Sequence, residues 1–291
     1  MVENNCIKVM LRWLETKTTA FLYLVVLTVL FSQCKNVESG KYKGMSVFVN
    51  DQSFQNIHDI PQAVVLDSVG KMTEFYSTDG RKEHAFLIVA PNAKKTLLVF
   101  HEWWGLNDNV KLACQQFSRE LPGVNILAID LYEGRVASNP EDAGKFMKEV
   151  TIEKSLNTIR GAIKAFANDH QLASIGWCFG GGWSLQSAIE LGSKMLGCVI
   201  YYGMPELEAQ KLLKLEAPVL GIFGEKDAWI TPELVNKFDD VMKAVNKKFV
   251  HYSFPAEHAF VNPSGSRYNE EYAKKANALA IDFVKKTFQV E

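Results

Sequence analysis

The chain has 291 residues, of which 47% are hydrophobic and 22% charged, and its formal net charge is −1. This composition is enough to build a full hydrophobic core, which excludes a disordered or fibrous protein. The charge is close to neutral and no basic stripe is interleaved with aromatic residues, so nucleic acid is not expected as a partner.

The first predicted element is an apolar segment at residues 20–31, which follows a leader containing several basic residues. It is shorter than the ~20 residues that a membrane-spanning helix needs, which favours the core of a signal peptide. Cys34 follows almost at once, and this order resembles a bacterial lipoprotein signal in which the cysteine becomes the lipidated first residue. The alternatives are an uncleaved signal anchor or a cleaved secretory peptide in which Cys34 is incidental.

These features divide the chain into three parts. Residues 1–34 are predicted to be a signal peptide or lipoprotein signal, residues 35–65 a polar tether or surface-wrapping arm, and residues 66–291 the globular domain. The expected location is the bacterial cell envelope, on the periplasmic face, either lipid-anchored or secreted. The cytoplasm is expected instead if the first segment is not a signal.

The globular part alternates apolar strands with helices. An antiparallel pair joined by a turn at Asp79-Gly80 comes first. TLLVFHE and VNILAIDLY follow, and their apolar runs are typical of parallel strands buried on both faces. Further strands are predicted at LASIG, MLGCVIYYG, APVLGIFG and KFVHYSFP. Helix starts are indicated by Asn107 or Asp108, by Asn139-Pro140 and by Thr231-Pro232. The order predicts an α/β fold with a doubly wound, mostly parallel sheet and helices on both faces.

A glycine-rich corner joins the LASIG strand to the next helix. The pattern Gly176-Trp177-Cys178-Phe179-Gly180 is the G-x-S-x-G nucleophile elbow with cysteine in place of serine. At a helix N-terminus, unpaired N–H groups and the helix dipole favour a thiolate. The other interpretation is that Cys178 is a small buried hydrophobe, as we expect for Cys114 and Cys198.

Polar residues follow the strands beyond the elbow. Asp227 comes after APVLGIFG, with Glu225 as a second acidic candidate, and His258 comes after KFVHYSFP. Working residues of open α/β sheets gather beyond the carboxyl ends of the strands. The order cysteine, acid, histidine is the one expected of an α/β-hydrolase triad.

Together the motifs HEWWGLN, AIDLYEGR, GWCFGGG, GEKDAWITPE and FPAEHAFVNP resemble the dienelactone hydrolase family, which are cysteine-nucleophile hydrolases with the α/β-hydrolase fold. The resemblance implies that Cys178 is the nucleophile, His258 the base and Asp227 the group that orients it. It also implies that Glu102 contacts the resting thiol and helps to expose the thiolate when substrate arrives.

The resemblance extends to the oxyanion hole and, in part, to the substrate site. The backbone N–H groups of Phe179 and Trp103 would hold the oxyanion, and Arg135 corresponds to a family arginine that binds the substrate carboxylate. The second such arginine is replaced by Asn262, and the residue after the histidine is Ala259. These departures count against dienelactone itself as the substrate.

Five of the six tryptophans lie in or beside the motif loops. Trp104 and Trp177 are candidates for an apolar pocket that takes an aromatic or cyclic ester, although aromatic residues are also common in cores.

The sequence therefore predicts a monomeric hydrolase that cleaves a small lactone or carboxylic ester through a thioester acyl-enzyme. No metal or organic cofactor is expected, because H-E-x-x-H, paired C-x-x-C and phosphate-loop motifs are absent from the sequence. The alternatives are a catalytically idle scaffold that acts as a binding lipoprotein of the envelope, or a thiol redox protein that uses Cys178.

Overall fold

A computed structural model of the chain describes residues 44–290. The predicted signal, Cys34 and the first part of the arm lie outside the described residues. Within residues 44–290, no helix combines the length and the apolar character that crossing a membrane requires.

One eight-stranded sheet forms the centre of the fold, with strand order β1-β2-β4-β3-β5-β6-β7-β8. The strands are β1 (Lys71–Tyr76), β2 (Lys82–Ile88), β3 (Lys95–Phe100), β4 (Asn125–Ile129), β5 (Gln171–Trp177), β6 (Met195–Tyr201), β7 (Val219–Gly224) and β8 (Phe249–Phe254). Strand β2 runs antiparallel to β1 and β4, and the other neighbouring strands pair in parallel. The predicted mostly parallel sheet is confirmed.

Helices cover both faces of this sheet. Successive side chains of a strand point to opposite faces, and every residue of β4 and β7 is buried. The helices are α1 (Gln52–Asn56), α2 (Asp108–Glu120), α3 (Pro140–Glu149), α4 (Ile152–Phe166), α5 (Phe179–Leu191), α6 (Ala209–Leu212), α7 (Pro232–Ala244) and α8 (Glu270–Phe288), with short 3-10 helices at Gly44–Phe48 and Gly192–Lys194. The predicted α/β-hydrolase fold is confirmed.

Three helices begin at the positions predicted from the sequence, and a side chain caps each of them. Asn107, Asn139 and Thr231 each accept a hydrogen bond from a backbone N–H in the first turn, which satisfies a donor that the helix itself leaves unpaired. The amphipathic stretch between Asn139 and the elbow is two helices, because Val150 is extended and Thr151 caps a new helix.

The described part of the arm folds over the domain. It contains the 3-10 helix Gly44–Phe48 and α1. Asp51 caps α1, because its carboxylate accepts hydrogen bonds from the N–H groups of Ser53 and Phe54. A helix of five residues is too short to produce a periodic apolar pattern, so the sequence indicated only an irregular segment.

Candidate active site

Cys178 lies on a sharp turn between β5 and α5. Its backbone has φ 51° and ψ −114°, a strained conformation for a residue other than glycine. The turn requires glycine on either side: a Cβ on Gly176 would lie 2.2 Å from the carbonyl oxygen of Gly180, and one on Gly180 would lie 2.2 Å from that of Phe100. The sequence pattern and the geometry therefore agree on a nucleophile elbow.

Asp227 and His258 meet beside this turn. Nδ1 of His258 is 2.6 Å from Oδ2 of Asp227, and both side chains are buried. The other oxygen, Oδ1, accepts hydrogen bonds from the N–H groups of Trp229 and Ile230, each at 2.9 Å. Glu225, the second acidic candidate, is exposed instead. The carboxylate of Asp227 thus fixes the orientation of the His258 imidazole.

The charges of Asp227, His258 and Cys178 change one another's pKa values. Burial alone would lower the pKa of His258, but the negative charges of Asp227 and of a Cys178 thiolate raise it to about 10. Burial raises the pKa of Cys178, and the His258 charge opposes that effect. The raised pKa of His258 means that its ring binds a proton strongly, which stabilises negative charge on the nearby sulfur.

Glu102, at the end of β3, is held by two side chains. Its Oε2 accepts a hydrogen bond from Nδ2 of Asn262 at 2.6 Å, and its Oε1 accepts one from the hydroxyl of Tyr202 at 3.4 Å. Burial raises the pKa of Glu102 to about 7, although the His258 charge and these two donors act in the opposite direction. Glu102 therefore titrates close to neutral pH.

The arm brings a second histidine to the cysteine. Nε2 of His58 is 3.7 Å from Sγ of Cys178, and the His58 ring stacks on Trp103 with a centroid distance of 4.9 Å. Nδ1 of His58 is 2.7 Å from the carbonyl oxygen of Phe54, an acceptor, so this nitrogen carries the proton. Nε2 then holds a lone pair, and the resting thiol donates to it.

Phe54 anchors the arm over the triad residues. It is fully buried, and its ring contacts Trp103 at 5.4 Å, Trp229 at 5.6 Å and His258 at 6.1 Å between centroids. Only 1% of Cys178 is exposed to solvent as a result of these layers.

Polar contacts fasten the same segment on both sides. Nε1 of Trp229 donates to the Asp51 carboxylate at 3.0 Å, and the N–H of Ser266 donates to the Asp59 carboxylate at 2.6 Å. A guanidinium N–H of Arg267 donates to the carbonyl oxygen of Ile57 at 3.3 Å. Helix α1 and His58 therefore form a cover that is tied to two separate loops of the domain.

Phe179 is the first residue of α5, next to Cys178, and Trp103 lies in the loop that follows β3. The backbone N–H of Phe179 hydrogen-bonds to Cys178, which opposes the rise in the pKa of the thiol. The carbonyl of Trp103 accepts a hydrogen bond from the Tyr132 hydroxyl at 3.2 Å. The neighbouring His101 fixes the same loop, because its Nδ1 is 2.8 Å from the carbonyl oxygen of Glu102.

The three predicted substrate residues lie in different environments. Trp177 stacks on Phe117 and lines a cavity of about 860 Å³ that Glu102 also lines. Trp104 is buried and is not among the described residues lining this cavity. Arg135 donates to Glu149 at 2.7 Å and its guanidinium lies over the Phe146 ring. Of these three residues only Trp177 lines the cavity, which reaches Glu102 and Tyr202, whereas Cys178, Asp227 and His258 are not among the described residues that line it.

Three side chains that contact Glu102 or Cys178 were not predicted from the sequence to do so. Tyr202 follows β6 at the carboxyl edge of the sheet, a position that could have singled it out. Asn262 appeared as a departure from the family pattern, and the structure shows that it binds Glu102. His58 had no sequence signal, because its place depends on the path of the arm. Cys114 and Cys198 are buried, as predicted.

Comparisons with known proteins give the family of the chain. A sequence model of the dienelactone hydrolase family matches residues 84–288. A protein of Aquifex aeolicus (strain VF5) named "putative carboxymethylenebutenolidase" is 29% identical over 234 residues, which cover 75% of this chain and 98% of the relative. A protein with the same name from Saccharolobus solfataricus is 28% identical over 257 residues, covering 73% of this chain and 97% of the relative.

Solved structures share the fold. The crystal structure of a dienelactone hydrolase from Anabaena variabilis superposes with a TM-score of 0.56 at 18% identity, covering 78% of this chain and 99% of that one. The family match covers most of the chain and includes the elbow, Asp227 and His258. The chain belongs to the dienelactone hydrolase family and is a hydrolase with the α/β-hydrolase fold.

Proposed function

We propose that this chain hydrolyses a small carboxylic ester or lactone by covalent catalysis, with Cys178 as nucleophile, His258 as base and Asp227 as the group that orients the base. The observation that carries the proposal is the 2.6 Å contact between His258 and Asp227 beside a cysteine on a strained elbow. Nucleophile, base and orienting acid in this order are the parts that acyl transfer requires.

Acylation begins when Sγ of Cys178 attacks the carbonyl carbon and its proton passes to Nε2 of His258. A C–S bond forms and the carbonyl oxygen becomes an oxyanion. The N–H groups of Phe179 and Trp103 stabilise that charge, a contribution worth about 10²–10³ in rate for one such donor. The C–O bond to the alcohol then breaks, and His258 returns the proton to the leaving oxygen.

Deacylation consumes one water molecule. His258 takes a proton from the water, whose oxygen attacks the thioester carbonyl, and the C–S bond breaks with release of the acid. The proton returns to the sulfur, so the enzyme is unchanged and the net reaction is ester plus water to acid plus alcohol. Asp227 stays ionised throughout, because burial is outweighed by the His258 charge and by N–H donors that lower its pKa.

Glu102 has a second role in this proposal, at the edge of the cavity. A carboxyl with a pKa of about 7 exists in both protonation states near neutral pH, and its negative charge disfavours the Cys178 thiolate. Substrate that reorganises the contacts of Glu102 with Tyr202 and Asn262 would therefore change how readily the thiol ionises. The contact of Glu102 with the resting thiol, implied by the family resemblance, is taken instead by His58.

The cavity that Glu102 lines has apolar side chains that suit an aromatic or cyclic acyl group, and the cations Arg119, Lys274 and Lys285 line it as well. Trp177 and Phe117 give it apolar walls, and Asn262 contributes an amide where the family has an arginine. Arg135 is already paired with Glu149, so it does not offer a free cation to a substrate carboxylate. Two relatives carry the name "putative carboxymethylenebutenolidase", but Asn262 and the pairing of Arg135 favour a different ester or lactone for this chain.

The experiment is hydrolysis of a panel of activated esters and one lactone by the reduced full-length chain. We expect turnover, and we expect Cys178→Ala and His258→Ala each to lower kcat by about 10³-fold or more. Cys114→Ala and His170→Ala remove the same residue types outside the site and serve as matched controls that retain activity.

Circular dichroism of each variant separates loss of chemistry from loss of fold. A folded, reduced parent without turnover would overturn the proposal in favour of an idle binding scaffold. Peroxide-dependent oxidation of Cys178 without ester turnover would favour the redox alternative.

A further inference from the structure

Three metal-ligating side chains converge at the elbow. His58, Cys178 and His258, here called the thiol–histidine cluster, each offer a ligand atom, and these atoms all lie within 4.8 Å of one another. One ligand comes from the arm, one from the elbow and one from the loop after β8. The triad mechanism uses Cys178 and His258 but gives no chemical role to His58.

Both imidazoles are oriented as metal ligands usually are. Nδ1 of His58 is bonded to the Phe54 carbonyl at 2.7 Å and Nδ1 of His258 to the Asp227 carboxylate at 2.6 Å. Metal-bound histidines typically engage the other ring nitrogen with a carbonyl or carboxylate, which fixes the tautomer and the ring direction. In both residues the nitrogen left for a metal is therefore Nε2.

Nε2 of His258 is also a buried polar atom that makes no hydrogen bond of normal geometry among the described residues, although it interacts with Sγ of Cys178 within 4.8 Å. Such atoms are rare because desolvation without a replacement bond is costly. A ligand bound between the three side chains would satisfy it.

The spacing fits a tetrahedral ion. Bond lengths of about 2.3 Å to sulfur and about 2.0–2.1 Å to nitrogen place the two ligand atoms roughly 3.5 Å apart. Sγ of Cys178 and Nε2 of His58 are 3.7 Å apart. The other pairs are at most 4.8 Å apart and need to close by roughly 1 Å.

The donor set selects the kind of metal. One thiolate and two imidazoles suit Zn²⁺, whereas Mg²⁺ and Ca²⁺ require oxygen ligands. We propose that the thiol–histidine cluster is a binding site for one Zn²⁺ ion, with a fourth position open to water, and that the bound ion blocks the nucleophile. The Zn–S bond displaces the thiol proton of Cys178 and the Zn–N bond displaces any proton on Nε2 of His258, so binding releases to solvent the protons that these two atoms hold.

Cobalt is the probe that tests the site directly. Co²⁺ is titrated into the metal-free, reduced, untagged full-length chain while the visible and near-ultraviolet spectra are recorded, and Zn²⁺ is then added in competition. We expect one ion per chain, tetrahedral d–d bands and a sulfur-to-cobalt charge-transfer band, all displaced by Zn²⁺. Zn²⁺ should also stop ester hydrolysis, and a chelator should restore it.

Two isosteric or near-isosteric variants assign the ligands. Cys178→Ser should abolish the charge-transfer band, and His58→Gln should weaken binding by about 100-fold or more. His170→Gln changes a histidine outside the cluster and should bind as the parent does. Circular dichroism verifies that each variant is folded.

The proposal is overturned if the parent binds Co²⁺ and Zn²⁺ more weakly than ~100 µM, which is no better than scattered surface ligands. It is overturned equally if Cys178→Ser keeps the thiolate band or if His58→Gln binds as tightly as His170→Gln. Hydrolysis by the metal-free chain is measured separately, so failure of the metal site and failure of the proposed hydrolase activity remain distinguishable.

Discussion

Glu102 shows how one side chain is adjusted by its surroundings. A carboxyl group buried beside apolar walls is stabilised in its neutral form, whereas Asn262 and Tyr202 donate hydrogen bonds that favour the charged form. Burial is the larger effect, and the pKa of Glu102 is raised to about 7. The replacement of a family arginine by Asn262 is consistent with this outcome, because an amide donor stabilises the carboxylate less than a cation does.

This raised pKa predicts a pH-dependent stability. The native state binds more protons than the unfolded state between the ordinary Glu value of 4.5 and about 7, so the contribution is fully present below pH 4.5 and is lost as the pH rises through 7. The loss amounts to about 3 kcal/mol at most. Glu102→Gln should remove this component, which urea unfolding of both proteins between pH 4.5 and 8 measures.

Glu225→Gln, at an exposed position, is the matched control and should follow the parent. A parent and a Glu102→Gln variant with the same pH dependence of unfolding free energy would contradict the assigned pKa.

At the scale of single residues, the sequence predicted the functional side chains that directly follow a strand. Cys178 and Asp227 follow the buried strands β5 and β7 and His258 follows the edge strand β8, whose side chains are exposed or half-buried, so their convergence was predictable from the strand order rather than from burial. His58 was not predictable, because its position depends on tertiary contacts of the arm with Trp229 and Arg267. The partner of Asn262 was hidden for the same reason: Glu102 is 160 residues away in the chain.

Helix α1 is the element that separates the nucleophile from solvent. Its length of five residues gives it little stability of its own, so its order derives from Phe54 and from the contacts made by Asp51. Elements that owe their order to a few tertiary contacts open locally at low free-energy cost. We expect substrate to reach Cys178 through opening of this cover.

Phe54→Ala should therefore expose the thiol. Truncation of a buried phenylalanine removes several kcal/mol of packing energy. Because Phe54 holds the cover in place, this loss should make the cover open more often, and alkylation of Cys178 by iodoacetamide should accelerate by about tenfold or more. The rate is measured on the Cys178 peptide by mass spectrometry, which distinguishes it from Cys114 and Cys198.

Phe238→Ala is the matched control, because Phe238 is equally buried but lies on α7, where it packs on Phe249. It should lower global stability and leave native-state labelling of Cys178 unchanged. Equal labelling rates in the two variants, or no acceleration by Phe54→Ala, would show that the arm does not control access.

The elements of the domain were predicted more fully than those of the arm. Continuous apolar runs bounded by turns indicated the buried strands, and capping residues indicated the helix starts. The sequence does not mark the division between α3 and α4, because no proline or glycine stands at Thr151, the residue that ends the break and caps α4. The short helices before Ile60 lack any pattern that distinguishes them from loop.

At the scale of the whole molecule, the fold places residues from distant parts of the chain at one edge of the sheet. The parallel strands β3, β5, β6, β7 and β8 end on the same side, so the loops that carry Glu102, Cys178, Tyr202, Asp227 and His258 gather there. The arm, which precedes the first strand, closes over this edge. The predicted signal and the lipidation of Cys34 lie outside the described residues and stay predictions.

The central claim is that Cys178 carries the acyl group during turnover. The most direct test is to quench the chain during hydrolysis of an activated ester, digest it and locate the acyl group by mass spectrometry, using His258→Ala to slow deacylation. We predict an acyl mass on the Cys178 peptide that hydroxylamine removes, as expected of a thioester. Turnover by the parent with no acyl group on Cys178, or with acyl transfer to another residue, would contradict the account.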